Sequence, residues 1–151
     1  MRMTTKMSEV NAYFKAGTER IQRLTIRALF YLGEQCVRVA RDRTPELSWI
    51  DQTGNLRSSI GYIITHNGNI VQYSDFKQVK QGSEGAKTGK DFALEIAKQF
   101  TNEYVLVVVA GMNYAEYVEA RDNKDVLATP ELFARRELPK MMEKLERQIA
   151  K

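Results

Sequence analysis

The chain has 151 residues, enough for one domain with a buried core, and its 43% apolar and 28% charged residues are ordinary for a soluble globular protein. Its net charge of +4, with a pI near 9.2, is compatible with a nucleic-acid neighbour but too weak to argue for one. A single cysteine, Cys36, excludes an internal disulfide, and no apolar run approaches the roughly 20 residues that span a membrane.

The opening stretch, Met1 to Met7, is basic and lacks the apolar core of a secretory signal, which predicts a cytoplasmic protein. From about Ser8 to Arg41 the pattern is helical and free of proline. Stepping about 100° per residue puts Phe14, Gly17, Ile21, Leu24, Ala28, Leu32 and Val39 on one face. Ile26, Phe30 and Val37 form a second apolar face. Arg20, Arg23, Arg27, Arg38 and Arg41 run between the two, with Glu34 among them. A surface helix needs only one apolar face. Two predict cover on two sides, by the chain's own sheet and by something else. At 1.5 Å per residue the helix is roughly 50 Å long. That is long for such a domain, and the expectation is that part of it reaches a neighbouring subunit.

Pro45 stops this helix, and 45–52 reads as loop with Trp49 and Ile50 as a local apolar anchor. Thr53 is placed to cap one short helical turn that hands over to a strand. Ile60, Tyr62 and Ile64 alternate onto one side of that strand. His66-Asn67-Gly68-Asn69 predicts a hairpin, because Asn-Gly accepts the positive φ of a type I′ turn. The return strand covers about 69–74.

Residues 77–90 carry three glycines, four lysines and one medium-sized apolar residue, and read as a mobile loop within the single domain 1–151. Phe92, Ile96 and Phe100 then mark one stripe of a short helix folded onto the sheet. Residues 103–110 are apolar at nearly every position, which predicts a central strand covered on both faces. Gly111 ends it and opens a tyrosine-rich segment, Tyr114 to Glu119. Thr129-Pro130-Glu131 reads as a helix start, with Thr129 the cap, and the last helix runs to about Ala150 across Pro139.

Little here supports catalysis, and no catalytic residue, metal ligand or cofactor is assigned. His66 stands alone beside a turn, and no second histidine or cysteine sits at zinc-ligand spacing. Cys36 reads as a small buried apolar residue. Gly85-Ala86-Lys87-Thr88-Gly89 lacks both the spacing and the preceding strand of a phosphate loop. Glu116 and Glu119 read as an acidic edge rather than a paired acid and base. The arginine stripe reads either as a solvated face or as phosphate contacts made by guanidinium forks. No aromatics interleave it, so any nucleic-acid contact through Arg20, Arg23, Arg27, Arg38 and Arg41 is expected at the backbone, without sequence preference. Tyr114 and Tyr117 suit either core or subunit contact.

Three pieces, in order, carry a resemblance. They are the long first helix ending near Thr44-Pro45, the run Thr53-Gly54-Asn55-Leu56-Arg57-Ser58-Ser59-Ile60, and the segment Gly111-Met112-Asn113-Tyr114-Ala115-Glu116-Tyr117-Val118-Glu119 before a last helix. Together they resemble the tail-completion, or tail-to-head joining, family of long-tailed phages, minor tail components of prophage type. The chain departs from that family after Glu119, where Ala120-Arg121-Asp122-Asn123 stands in place of an aromatic-Gly-Thr turn.

The resemblance implies an α+β fold, with a long N-terminal helix packed across a small antiparallel sheet and a C-terminal helix. It implies a structural protein, not an enzyme, in a ring that is usually a hexamer between tail tube and head connector. DNA would pass through its channel without specific contacts, and no membrane is involved. The protein would sit in the bacterial cytoplasm during assembly and in the virion tail or neck afterwards. Ile26, Phe30, Val37, Tyr114, Tyr117 and Glu119 are then the expected subunit-interface residues. The alternatives are a small basic nucleic-acid-binding module using the arginine stripe, and an enzyme or toxin-like effector.

Overall fold

A computed structural model describes residues 5–42, 49–113, 115–116, 120 and 125–151. It is an α+β fold: a long N-terminal helix, a small antiparallel sheet and a C-terminal helix. The helices are α1 (Met7–Arg41), α2 (Asn55–Ser58), α3 (Ser83–Ala97) and α4 (Ala128–Ile149), and the strands are β1 (Ile60–His66), β2 (Asn69–Tyr73) and β3 (Tyr104–Ala110). Among the described residues no helix is long and apolar enough to cross a membrane.

The β1–β2 hairpin turns at Asn67 and Gly68, with φ of 51° and 77°, the doubly positive pair that a type I′ turn requires. The sheet order is β2-β1-β3. β3 is therefore an edge strand, and β1 is the central one. The unbroken apolar run in β3 reports cover on both faces, which it has, and says nothing of lateral position.

One face of the sheet turns Ile60, Tyr62 and Ile64 into a core with Val37, Ala40, Trp49 and Leu56, with Leu106 and Val108 packed at its margin. α1 supplies the lid. Gly33 sits over the Tyr62 ring, where an added Cβ would overlap ring atoms at 2.9 Å. Each large side chain buried here contributes on the order of 1.5–3 kcal/mol. The opposite face gathers Ile63, Val107 and Val109 against Phe76, Ala93 and Ala97. Trp49 is buried while Ile50 is exposed, so only the first acts as an anchor.

α3 corrects the reading of 77–90 as a mobile loop. Residues 83–90 are the first two turns of that helix, and its buried positions are Gly85, Gly89, Ala93 and Ala97. These recur every four residues, so they share one face. The absence of side chains lets the helix backbone approach α2 and the β1 and β3 ends: a Cβ at Gly85 would overlap the carbonyl of Asn55, and one at Gly89 the carbonyl of Ser59. Phe92 and Phe100, expected to pack on the sheet, are instead each 41% exposed, while Ile96 packs at the core margin.

Cap chemistry also shifts by a few residues. The turn α2 begins after Gly54, not Thr53, and the Asp51 carboxylate accepts from the amides of Gly54 (3.0 Å) and Arg57 (3.1 Å). α4 begins at Ala128, and Asp125 accepts from the Thr129 amide at 2.9 Å. Thr53 Oγ1 still accepts from the Asn55 amide at 3.3 Å, but a carboxylate just outside each helix start takes amides of the first turn as well.

Candidate functional site

α1 and α4 run antiparallel. Cys36 lies near the start of α4, its Sγ 3.9 Å from the carbonyl of Pro130, and Arg20 reaches the far end, donating to the carbonyl of Gln148 at 2.8 Å. Leu24, Ala28, Met141 and Leu145 line the seam between the two helices. The C-terminal half of α1 is thus held on two sides, by the sheet and by α4. Both covers come from its own chain.

This corrects the assignment of the second apolar face to a neighbouring subunit. Val37 lies in the chain's own core, Phe30 packs edge-on to Tyr62 with centroids 6.4 Å apart, and Ile26 is half-buried. Tyr114, Tyr117 and Glu119 lie outside the described residues, as does the predicted stop at Pro45. What the chain leaves uncovered is the other half of α1. Every residue from 11 to 21 is exposed, Tyr13 at 80% and Phe14 at 66%.

The arginine stripe is not one surface. Arg20 binds the C-terminal carbonyls of α4, where a cation also meets the negative end of the helix dipole. Arg41 donates to the carbonyl of Ile60 at 2.6 Å, and burial lowers its pKa. Arg27 lies over the Tyr31 ring, 5.7 Å from its centroid, and donates to its hydroxyl at 3.5 Å; this hydrogen bond and the guanidinium charge lower the phenol's pKa. Arg23 and Arg38 are exposed. Glu34, which lies among the arginines along the helix, accepts from the Tyr62 hydroxyl at 2.8 Å.

The isolated histidine has a structural setting. The His66 ring stacks on Tyr104 with centroids 3.9 Å apart, and Gln22 Nε2 donates to its Nδ1 at 3.0 Å. Cys36 is 1% exposed, and burial raises its thiol pKa. Among the described residues no cluster of three or more histidines, cysteines or carboxylates is placed to hold a metal ion.

An apolar groove of about 540 Å³ lies between α1, β3 and α4. Leu29, Leu32 and Cys36 form its floor, Tyr104, Leu106 and Val108 one wall, and Leu127, Ala134 and Leu138 the other. Glu131 and Arg135 stand at its rim as an ion pair at 2.7 Å. The lining is mostly aliphatic, with the buried Cys36 at its floor. Sequence reasoning missed it, because a strand apolar on both faces was read as central.

The described residues thus form a small α+β fold with an apolar groove between α1, β3 and α4. No known protein family, curated protein or solved structure matches the chain.

Proposed function

We propose that the chain is a structural assembly protein of a tailed-phage virion, joining the tail to the head connector as one subunit of an oligomeric ring and catalysing nothing. The observation that carries this reading is the uncovered half of α1. Over about four turns, from Met7 to Ile21, the helix leaves Met7, Tyr13, Phe14 and Ile21 exposed among the described residues, while Arg20 reaches the end of α4. Such a segment suits a protein whose final state is an assembly. A heterologous contact between copies buries surface of this kind and closes into a ring when the rotation allows. The ordered motifs around Thr53–Ile60 and Gly111–Glu119 supply the phage assignment, and the hexameric count, the tail tube and connector partners, and the passage of DNA come with that resemblance. Assembly in the bacterial cytoplasm followed by residence in the tail or neck belongs to the same proposal.

The nucleic-acid reading has less to stand on. Two of its five arginines, Arg20 and Arg41, are engaged with backbone carbonyls. The two readings separate by light scattering combined with a salt titration of DNA binding. A ring-sized mass with weak, salt-sensitive DNA affinity is the expected result. A monomer that binds DNA tightly at physiological salt overturns the assembly reading.

A further inference from the structure

α1 and α4 each carry a row of polar side chains along their shared seam. Arg27, Tyr31 and Gln35 stand four residues apart on α1, as Lys144 and Gln148 do on α4, and residues at that spacing share a helix face. The two rows border a cleft of about 440 Å³ whose floor is Leu24, Ala28, Met141 and Leu145. The polar residues of both rows are exposed, whereas Leu24, Ala28 and Met141 are half-buried and Leu145 is buried. An apolar floor under a few polar groups is the make-up of a small-molecule site, and such sites measure roughly 300–1,000 Å³.

The charge at this rim is one-sided. Among the described residues no carboxylate lines the cleft. The other cations of α4 are paired along their own helix: Arg135 with Glu131, Arg136 and Lys140 with Glu137, and Arg147 with Glu143. Neither Lys144 nor Arg27 has a carboxylate partner among the described residues. Glu34, the next acid along α1, is turned to the sheet and accepts from the Tyr62 hydroxyl. Both free cations bear on one atom. Arg27 donates to the Tyr31 hydroxyl at 3.5 Å, and this hydrogen bond and the guanidinium charge lower the phenol's pKa, with the charge of Lys144 adding to them. Cations from two different helices therefore act on the same oxygen at the rim of the cleft.

We propose that this cleft binds a phosphate monoester with a short apolar body. Such a head carries about −1.5 to −2 charges at neutral pH and three acceptor oxygens. It meets two cations and three donor side chains, those of Arg27, Lys144 and Tyr31. A carboxylate, with one charge and two oxygens, leaves one cation and one donor unmatched. The apolar body lies on Leu24, Ala28, Met141 and Leu145 and removes that floor from water. A nucleic-acid backbone fits less well, because its phosphates are diesters of single charge flanked by sugars and bring nothing apolar to the floor. The site is independent of the assembly reading.

The test uses the full chain and phenyl phosphate, with inorganic phosphate and phenol as its two halves and benzoate as the carboxylate. Binding is followed by NMR at the side-chain amides of Gln35 and Gln148. Phenyl phosphate is expected to bind at about millimolar concentration or below, and each of the other three at least about tenfold more weakly. Arg27→Gln and Lys144→Gln are each expected to weaken phenyl phosphate by about fivefold, and Lys144→Arg by much less. Both positions are exposed, so thermal midpoints should match the wild type. Inorganic phosphate that binds as tightly marks an adventitious ion only and overturns the site. Phenol that binds as tightly overturns the part given to the cations, and benzoate that does so overturns the phosphate head. Undiminished affinity in both glutamine variants overturns the cleft as the place of binding. A short oligonucleotide that displaces phenyl phosphate at equal phosphate concentration gives the cleft to a nucleic-acid backbone and overturns the small ester.

Discussion

The hydroxyl of Tyr62, on the central strand, donates to Oε1 of Glu34 on α1 at 2.8 Å. Burial first, and this hydrogen bond to a carboxylate second, hold the phenol well above its ordinary value of 10.0. In the unfolded chain the phenol ionises near 10; in the folded chain it resists. The stability it contributes is complete below about pH 10 and is lost as pH rises through the folded value. Thermal midpoints recorded from pH 8 upward should fall steeply past pH 10. The Tyr62→Phe variant should show a shallower alkaline fall, with a cost at neutral pH of about 1 kcal/mol from the lost hydrogen bond. Tyr104, also raised by burial, leaves a residual slope.

Gly89→Ala sets two effects against each other. Helix propensity favours alanine by about 1 kcal/mol. The new Cβ, however, would overlap backbone atoms of Ser59, which cannot swing aside as a side chain would. Overpacking of this kind costs roughly 1–3 kcal/mol or more, so the net change in urea unfolding is expected to be destabilising. A neutral or stabilising result would show that α3 does not press on the β1 end.

Arg20→Ala removes the cation and donors from the last carbonyls of α4. An exposed interaction with a helix C-terminus contributes about 0.3–1 kcal/mol. The expected outcome is a small loss of global stability with faster amide exchange confined to the last turn of α4. Faster exchange along the whole helix would mean that packing at Leu145 is weaker than its burial indicates.

Tyr13→Ser combined with Phe14→Ser should leave the unfolding free energy of the monomer within about 0.5 kcal/mol of the wild type, because both side chains are exposed. If the projecting half of α1 serves assembly, the same pair should weaken self-association. Unchanged association in sedimentation would remove α1 from the contact.

Cys36 should react slowly with disulfide reagents at neutral pH in the folded chain and quickly once unfolded. It is 1% exposed and its thiol pKa is raised by burial, so both access and thiolate fraction are low. Rapid reaction with the native chain would place the groove floor in frequent contact with solvent.

Local signals in the sequence account for much of the fold. The proline-free helical pattern from Ser8 to Arg41 became α1 almost residue for residue, and Asn67-Gly68 became the hairpin turn. The α3 glycines misled for a physical reason. Composition weighs Gly85 and Gly89 as flexible and unable to bury surface, yet a neighbouring backbone fits against them because they have no side chain. The arginine stripe misled similarly. Angular position on a helix puts Arg20 and Arg41 in one row with Arg23, but each of the two ends at a carbonyl contributed by a distant part of the chain, Gln148 and Ile60.

The sequence by itself determined the long first helix, the hairpin turn and the apolar faces of the strands, because periodicity and turn residues act over a few positions. Only the tertiary structure decided that β3 lies at the edge, that the second apolar face of α1 is covered by its own sheet, and that a groove opens between α1, β3 and α4. Those outcomes depend on which of several apolar surfaces meet. Such surfaces attract one another without direction, and the choice among them is made by close packing between residues far apart in the chain.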